Sequence, residues 1–159
     1  MDPVSQLVIF SLDDHKFALF LSAVMRVIRV VEITGLPKAP DIVLGIINVH
    51  GAIIPVIDVR RRFRFPERER QLNDRLVIAR TAKRTVALLT DDVIGVVACP
   101  VERIVEAETV VAGMAFVEGI VKIDGGMILI HDLDTFLSFD EEKSLDDALR
   151  ESTGSMDKG

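Results

Sequence analysis

Residues 45–63 read GIINVHGAIIPVIDVRRRF and residues 119–137 read GIVKIDGGMILIHDLDTFL. Laid over one another at an offset of 74, Gly45, Ile46, Gly51, Ile54 and Asp58 fall on Gly119, Ile120, Gly125, Ile128 and Asp132. Upstream, residues 7–29 lie over residues 76–98 at an offset of 69. There Leu7, Val8, Ile9, Ala18, Leu19, Val24 and Val27 meet identical residues. The offset holds within each segment, as a duplication without internal insertions requires, so the chain reads as one unit repeated.

Working outward, each unit breaks into short apolar runs separated by turn residues. Residues 7–12 and 16–21 flank Asp13-Asp14, a hairpin signal, and residues 25–31 follow. Residues 45–49 and 53–59 are joined across His50-Gly51. The second unit repeats the pattern with residues 75–80, 85–90, 93–98, 118–123 and 127–130, and Gly125-Gly126 supplies the matching tight turn. Asp58 and Asp132 each end a strand before a short segment (VRRRF, LDTFL), the position of a helix N-cap. Ser144 and Asp147 are spaced as a capping box opening a short helix to Arg150, with Leu145 and Leu149 on one face.

A unit of about 70 residues with five short strands hides its edges best by closing into a small barrel. Domains this small bury only about 60% of their chain surface, so two barrels are expected to share a core. The Val/Ile strands at residues 24–31 and 93–98, apolar on both faces, are the expected seam. The fold class is therefore all-β: two pseudo-symmetric five-stranded small β-barrels around a shared hydrophobic core, with short helices after each barrel and at the C-terminus. Residues 5–151 form one domain, with repeat halves 7–63 and 76–137, and residues 152–159 are read as a flexible tail.

Composition agrees and narrows the function. Of 159 residues, 49% are hydrophobic and 28% charged, with no Trp or Tyr and eight Phe. A β-branched excess of this kind favours strands. The net charge of −6 lacks the basic footprint that nucleic acid demands. A lone cysteine, Cys99, rules out an internal disulfide and is read as a small buried apolar residue. No secretory leader and no apolar run of about 20 residues is visible, so the expected location is cytoplasmic, without direct membrane insertion.

Chemistry-bearing constellations are missing from this reading. His15, His50 and His131 lack metal-ligand spacing, and the Asp58/Asp132 pair is explained by duplicated caps. Asp91-Asp92 reads as a solvated strand end. Arg60, Arg61, Arg62, Arg64, Arg68 and Arg70 form a basic connector between the units, diluted by Glu67 and Glu69. It reads as solvated, with a patch for an acidic partner as the alternative. No phosphate loop or nucleophile elbow occurs, so no enzyme activity and no cofactor is expected. A mean hydropathy of +0.35 in so acidic a chain points instead to apolar surface kept for protein contacts.

Residues 32–63, EITGLPKAPDIVLGIINVHGAIIPVIDVRRRF, resemble the signature of the CheW family: a Leu-Pro-x-Ala-Pro turn, a Gly-Val-Ile-Asn-Leu-Arg-Gly strand, then Pro-Val-Ile-Asp-Leu-Arg. The resemblance spans about residues 5–140. It implies paired five-stranded barrels and a non-enzymatic adaptor that bridges methyl-accepting chemoreceptor signalling tips to the regulatory domain of a CheA-type histidine kinase, recruited to membrane-associated receptor arrays. Carried over residue by residue, the receptor-facing groove takes Val24, Arg26, Val27, Asn48, His50, Gly51 and Val96, whereas the kinase-facing residues stay unassigned. Two positions depart from the pattern. His50 stands where the family has Arg, and Arg26 where it has an acidic residue, so a family ion pair there would become Arg opposite His. The alternatives are a CheW-like scaffold for a non-chemotaxis two-component pathway and, in another class, a ligand-binding or enzymatic β-barrel.

Overall fold

A computed structural model describes residues 3–106, 116–123 and 126–157. The first unit supplies β1 (Val4–Leu12), β2 (His15–Phe20), β3 (Val24–Arg29), β4 (Val43–Val49), β5 (Ala52–Asp58) and the single-turn helix α1 (Val59–Arg62). The second supplies β6 (Arg75–Arg80), β7 (Thr85–Thr90), β8 (Asp92–Pro100), the short β9 (Val105–Glu106), β10 (Val117–Ile123), β11 (Gly126–His131) and a 3-10 turn at Leu133–Thr135. A long helix, α2 (Phe139–Asp157), follows. The expected strands are all present, and β9 is the addition.

Two turns work as their residues demand. Asp13 and Asp14 both have positive φ (52° and 76°), and so do His50 and Gly51 (51° and 88°), the conformation of a two-residue hairpin turn that matches strand twist. Asn48 Oδ1 accepts from the Gly51 N–H at 2.8 Å and braces the second of these. The expected Gly125-Gly126 turn lies outside the described residues at Gly125.

The strands assemble across the repeat rather than within it. One sheet runs β3-β6-β7-β5-β4 and the other β8-β1-β2-β11-β10-β9. Each unit thus lends its first hairpin to the other unit's barrel, where it sits between the third and fifth strands. The duplication is legible in the register itself. Leu7 opposes Phe20 as Leu76 opposes Leu89, and Leu7 opposes Val97 as Leu76 opposes Ile28. Both copies carry a bulge at equivalent places: Met25 and Ile94 in the third strands, Leu44 and Glu118 in the fourth. Edges are closed in the same way. Thr34 exchanges backbone hydrogen bonds with Ile46 at 2.9 and 2.8 Å, and β9 pairs with β10 at Val105 and Ile120.

The exchange explains which strands are apolar on both faces. Leu7, Ile9 and Ala18 fill one barrel with Cys99, Val121, Ile128 and Ile130, while Leu76, Ile78, Ala87 and Leu89 fill the other with Ile47, Ile54 and Val56. The alternate residues of the same hairpins, Phe10, Leu12, Phe17 and Leu19 with Val77, Ala79, Val86 and Leu88, form the shared core. The seam is therefore built by β1, β2, β6 and β7. Residues 24–31 and 93–98, expected there, instead form edge strands whose Met25, Val27, Ile94 and Val96 stay exposed, and only Val24 and Val93 of these runs touch the shared core.

Asp58 caps α1 by accepting from the Arg61 N–H, and Asp132 accepts from the Asp134 N–H at 3.1 Å, so both expected caps are in place. The C-terminal helix corrects the expectation. Its capping box is Ser138 and Glu141, where Ser138 Oγ accepts from the Glu141 N–H at 3.1 Å and Glu141 Oε1 from the Ser138 N–H at 2.8 Å. Ser144 is exposed in mid-helix, and the backbone stays helical past Arg150 to Asp157. Buried Leu145 and Ala148 dock the helix on the shared core, with Leu149 alongside. Burial of the one leucine is worth about 2 kcal/mol. Arg84 fastens the helix further by pairing with Glu142 (2.8 Å) and Asp146.

Candidate docking faces

Several titratable side chains are tied into the core or into ion pairs. His131 is buried at the end of β11, its ring 4.3 Å from that of Phe63 and 5.0 Å from that of Phe17. Its Nδ1 lies 3.1 Å from the Phe116 carbonyl, and Nε2 has no hydrogen-bond partner among the described residues. Burial holds its pKa down at about 4, against the bond to Phe116, so the imidazole is neutral near pH 7. Asp132 and Asp134 add to the effect of burial in raising Glu118 above the usual carboxylate range. Among the described residues no group of three or more His, Cys, Asp or Glu side chains could hold a metal ion. No helix there is long and apolar enough to cross a membrane.

The arginine connector is not a solvated loop. Arg60 is buried and pairs with Asp13 (2.8 Å) and Asp91 (2.7 Å), while donating to the Pro66 carbonyl from Nε and Nη2. Arg68 joins the same knot through Asp74 (2.7 Å) and Asp91 (2.9 Å), and Arg62 reaches Glu141 at 2.6 Å. Asp91 is thus an internal ion-pair partner and no solvated strand end. Hydrogen bonds from Arg60 hold the Asp13 carboxyl below its ordinary range. Sequence alone could not pair these charges, since Arg60 finds its carboxylates 47 and 31 residues away.

Exposed apolar side chains recur on the edge strands β3 and β8. Val24, Arg26 and Val27 lie on β3, Asn48, His50 and Gly51 at the β4–β5 turn, and Val96 on β8. Val27 and Val96 occupy the same position of the two units, each opposite a residue on the seam side of its neighbour strand (Val77 and Val8), so Val24, Val27 and Val96 all border the seam. Arg26 opposes Ile78, a barrel-interior residue, and points to the other face of β3. No hydrogen bond or ion pair joins Arg26 to His50. Met25 (61% exposed), Ile94 (54%), Ile53 (47%) and Met127 (63%) were not among the expected contact residues. Their signal was in the repeat: Met25 matches Ile94, and Ile53 matches Met127, as apolar residues at equivalent exposed positions.

Two interlocked barrels with matched exposed apolar residues on their edge strands have the architecture of a protein-docking module. The model of the CheW-like domain matches residues 6–141, so the chain belongs to the CheW-like domain family. It is 27% identical over 141 residues to the chemotaxis protein CheW of Rhizobium meliloti (strain 1021), covering 87% of this chain and 91% of that one. Against the chemotaxis protein CheW of Thermotoga maritima it is 29% identical over 133 residues, covering 80% and 84%. The crystal structure of the scaffolding protein TtCheW from Thermoanaerobacter tengcongensis superimposes with a TM-score of 0.80 at 33% identity, covering 89% of this chain and 96% of that chain.

Proposed function

We infer that this protein is a chemotaxis coupling adaptor that holds a chemoreceptor signalling tip and the regulatory domain of a CheA-type kinase together. It works by binding alone, in the cytoplasm, at receptor arrays. The observation that carries this reading is the pair of exposed apolar strand edges, Met25 and Val27 on β3 and Ile94 and Val96 on β8, on a scaffold of this family. Apolar area left in water on a soluble domain is spent on partners. Val24, Val27 and Val96, which border the seam, are assigned to the receptor, with Asn48, His50 and Gly51 at the β4–β5 turn and Arg26 on the opposite face of β3 from Val27.

The test is direct binding of the purified chain to a receptor signalling-tip fragment and to a kinase regulatory domain from the same genome. Both are expected to bind, singly and together, and failure of both would overturn the reading. His50→Arg restores the family residue at an exposed turn and is expected to change receptor affinity more than kinase affinity. Equal changes would remove His50 from the receptor face.

A further inference from the structure

Each barrel has a corner where its last strand ends beside the hairpin it borrows. In the first barrel, Leu44, Asp58, Arg60, Leu89 and Asp91 help to line a corner cavity of about 170 Å³. The residues at the same repeat positions, Glu118, Asp132, Asp134, Phe20 and Ser22, help to line a cavity of about 140 Å³ in the second. A backbone group is matched as well. The Asp13 N–H donates to Asp91 Oδ2 at 2.7 Å in the first corner. Its counterpart in the second, the Ala82 N–H, donates to Asp134 Oδ1 at 2.7 Å.

The contents of the two corners differ in charge. The first holds the Arg60 guanidinium between Asp13 and Asp91. The connector then folds back over it, so that the Pro66 carbonyl accepts from Arg60 and Arg68 reaches Asp74 and Asp91. In the second corner Asp134 stands in the place of Arg60 and Glu118 in that of Leu44, while Asp13 and Asp91 become Ala82 and Ser22. Three carboxylates thus line this cavity where the first corner has a cation. Arg80 lines it too, yet its guanidinium makes a 3.4 Å contact with Thr85 Oγ1 and no ion pair with any described residue. Partial burial, and then Asp132 and Asp134, raise Glu118 above the usual carboxylate range, as like charges without a counter-ion do. The chain that leaves this corner enters α2, which docks on the shared core and contributes no residue to the cavity lining.

We propose that the second corner receives an arginine side chain from a partner protein, in the place that Arg60 fills in the first. The fold shows twice what this corner accommodates, once with the guanidinium supplied by the chain itself. A planar guanidinium matches carboxylates in shape as well as charge. Phe20 adds an aromatic ring to the lining, as Phe65 lies 5.9 Å from the Arg60 guanidinium in the first corner. An adjoining cleft of about 550 Å³ shares Phe20, Glu118 and Asp132 and adds Val101, Ile104 and Val117. The occupant is therefore a segment of the connector's own kind, arginine with an apolar neighbour. None of the residues assigned to the receptor lines either cavity, so the inference stands apart from the coupling-adaptor reading.

The probe is a capped peptide of the connector sequence Arg-Arg-Arg-Phe-Arg (residues 60–64), titrated into the intact chain and followed by amide chemical shifts. Shifts are expected at Phe20, Ser22, Ala82 and Glu118, with binding that weakens between about 50 and about 500 mM NaCl. The same peptide with lysine for every arginine keeps the charge and is expected to bind about fivefold more weakly. Glu118→Leu copies the first unit at an exposed bulge and is expected to weaken the arginine peptide about tenfold. Asp134→Arg installs the first unit's cation and is expected to abolish binding. Because Asp134 also holds the Ala82 N–H, Glu118→Leu keeps the test decisive if that variant misfolds. Absence of binding to the unaltered chain, shifts confined to other surfaces, equal affinity for the lysine peptide, or unchanged binding by Glu118→Leu would each overturn the proposal. None of these results bears on receptor or kinase binding, which is measured separately.

Discussion

Arg60 donates from Nη1 to Asp91 Oδ2 at 2.7 Å, joining the end of the first unit to the hairpin that the second unit lends it. Asp13 receives the other arm of the same guanidinium, at 3.0 Å from Nη2. Asp91 Oδ2 also accepts from the Asp13 N–H at 2.7 Å, so the two loops that follow β1 and β7 are tied by one knot.

Removing the arginine leaves Asp91 with one cation, Arg68, and strips two carbonyl-bound arms from Pro66. Arg60→Met is expected to destabilise the fold by about 3 kcal/mol, the scale on which breaking a mostly buried pair operates. Urea unfolding of Arg60→Met, Asp91→Asn and the double variant checks this. Strict additivity of the two single effects would deny the coupling.

His131 and Ile57 are equivalent positions of the repeat, each opposing the start of a fourth strand, at Val117 and Val43. Folding lowers the His131 pKa from 6.5 to about 4, so the unfolded chain binds the extra proton between those values. Stability from this group is complete above pH 6.5 and falls as the pH drops toward 4, by about 3 kcal/mol at the limit. His131→Ile, which copies the other unit, is expected to remove this slope from thermal unfolding measured between about pH 4 and 7. A slope unchanged in the variant would place the acid sensitivity elsewhere.

Gly45 is held at φ 157°, and a Cβ on it would lie 2.1 Å from the Thr34 carbonyl oxygen. That carbonyl accepts from the Ile46 N–H to close the first barrel. Gly45→Ala must push the closing segment away, with an expected loss of about 3 kcal/mol or more. Hydrogen exchange should report it locally, as lost protection of the Thr34 and Ile46 amides. Wild-type protection there would show that the closure tolerates a side chain.

Asp14 adopts φ 76° at the second position of the β1–β2 turn, and its carboxylate makes no hydrogen bond or ion pair with any described residue. Asp14→Gly is expected to raise stability by about 0.5–1 kcal/mol, since glycine takes this conformation without strain. A lower midpoint in chemical unfolding would mean that the carboxylate contributes more than the backbone strain costs.

By itself the sequence determined the periodic and local features. Alternating apolar runs placed the strands, Asp13-Asp14 and His50-Gly51 placed two turns, Asp58 and Asp132 placed two caps, and the offsets of 69 and 74 revealed the repeat. These are legible because each is fixed by residues within a few positions of one another, or by comparing one half with the other. Tertiary structure decided the rest. The exchange of β1–β2 and β6–β7 between barrels depends on which hairpin pairs with which edge, and Val/Ile runs of equal hydropathy cannot state their neighbours. For that reason β3 and β8 read as seam strands and proved to be edges. The arginine connector read as solvated because its carboxylates at Asp13, Asp91 and Glu141 are distant in the chain, and only folding brings them within 3 Å. The same assembly put the repeat's matched residues at matched corners, which is how Asp134 stands out against Arg60.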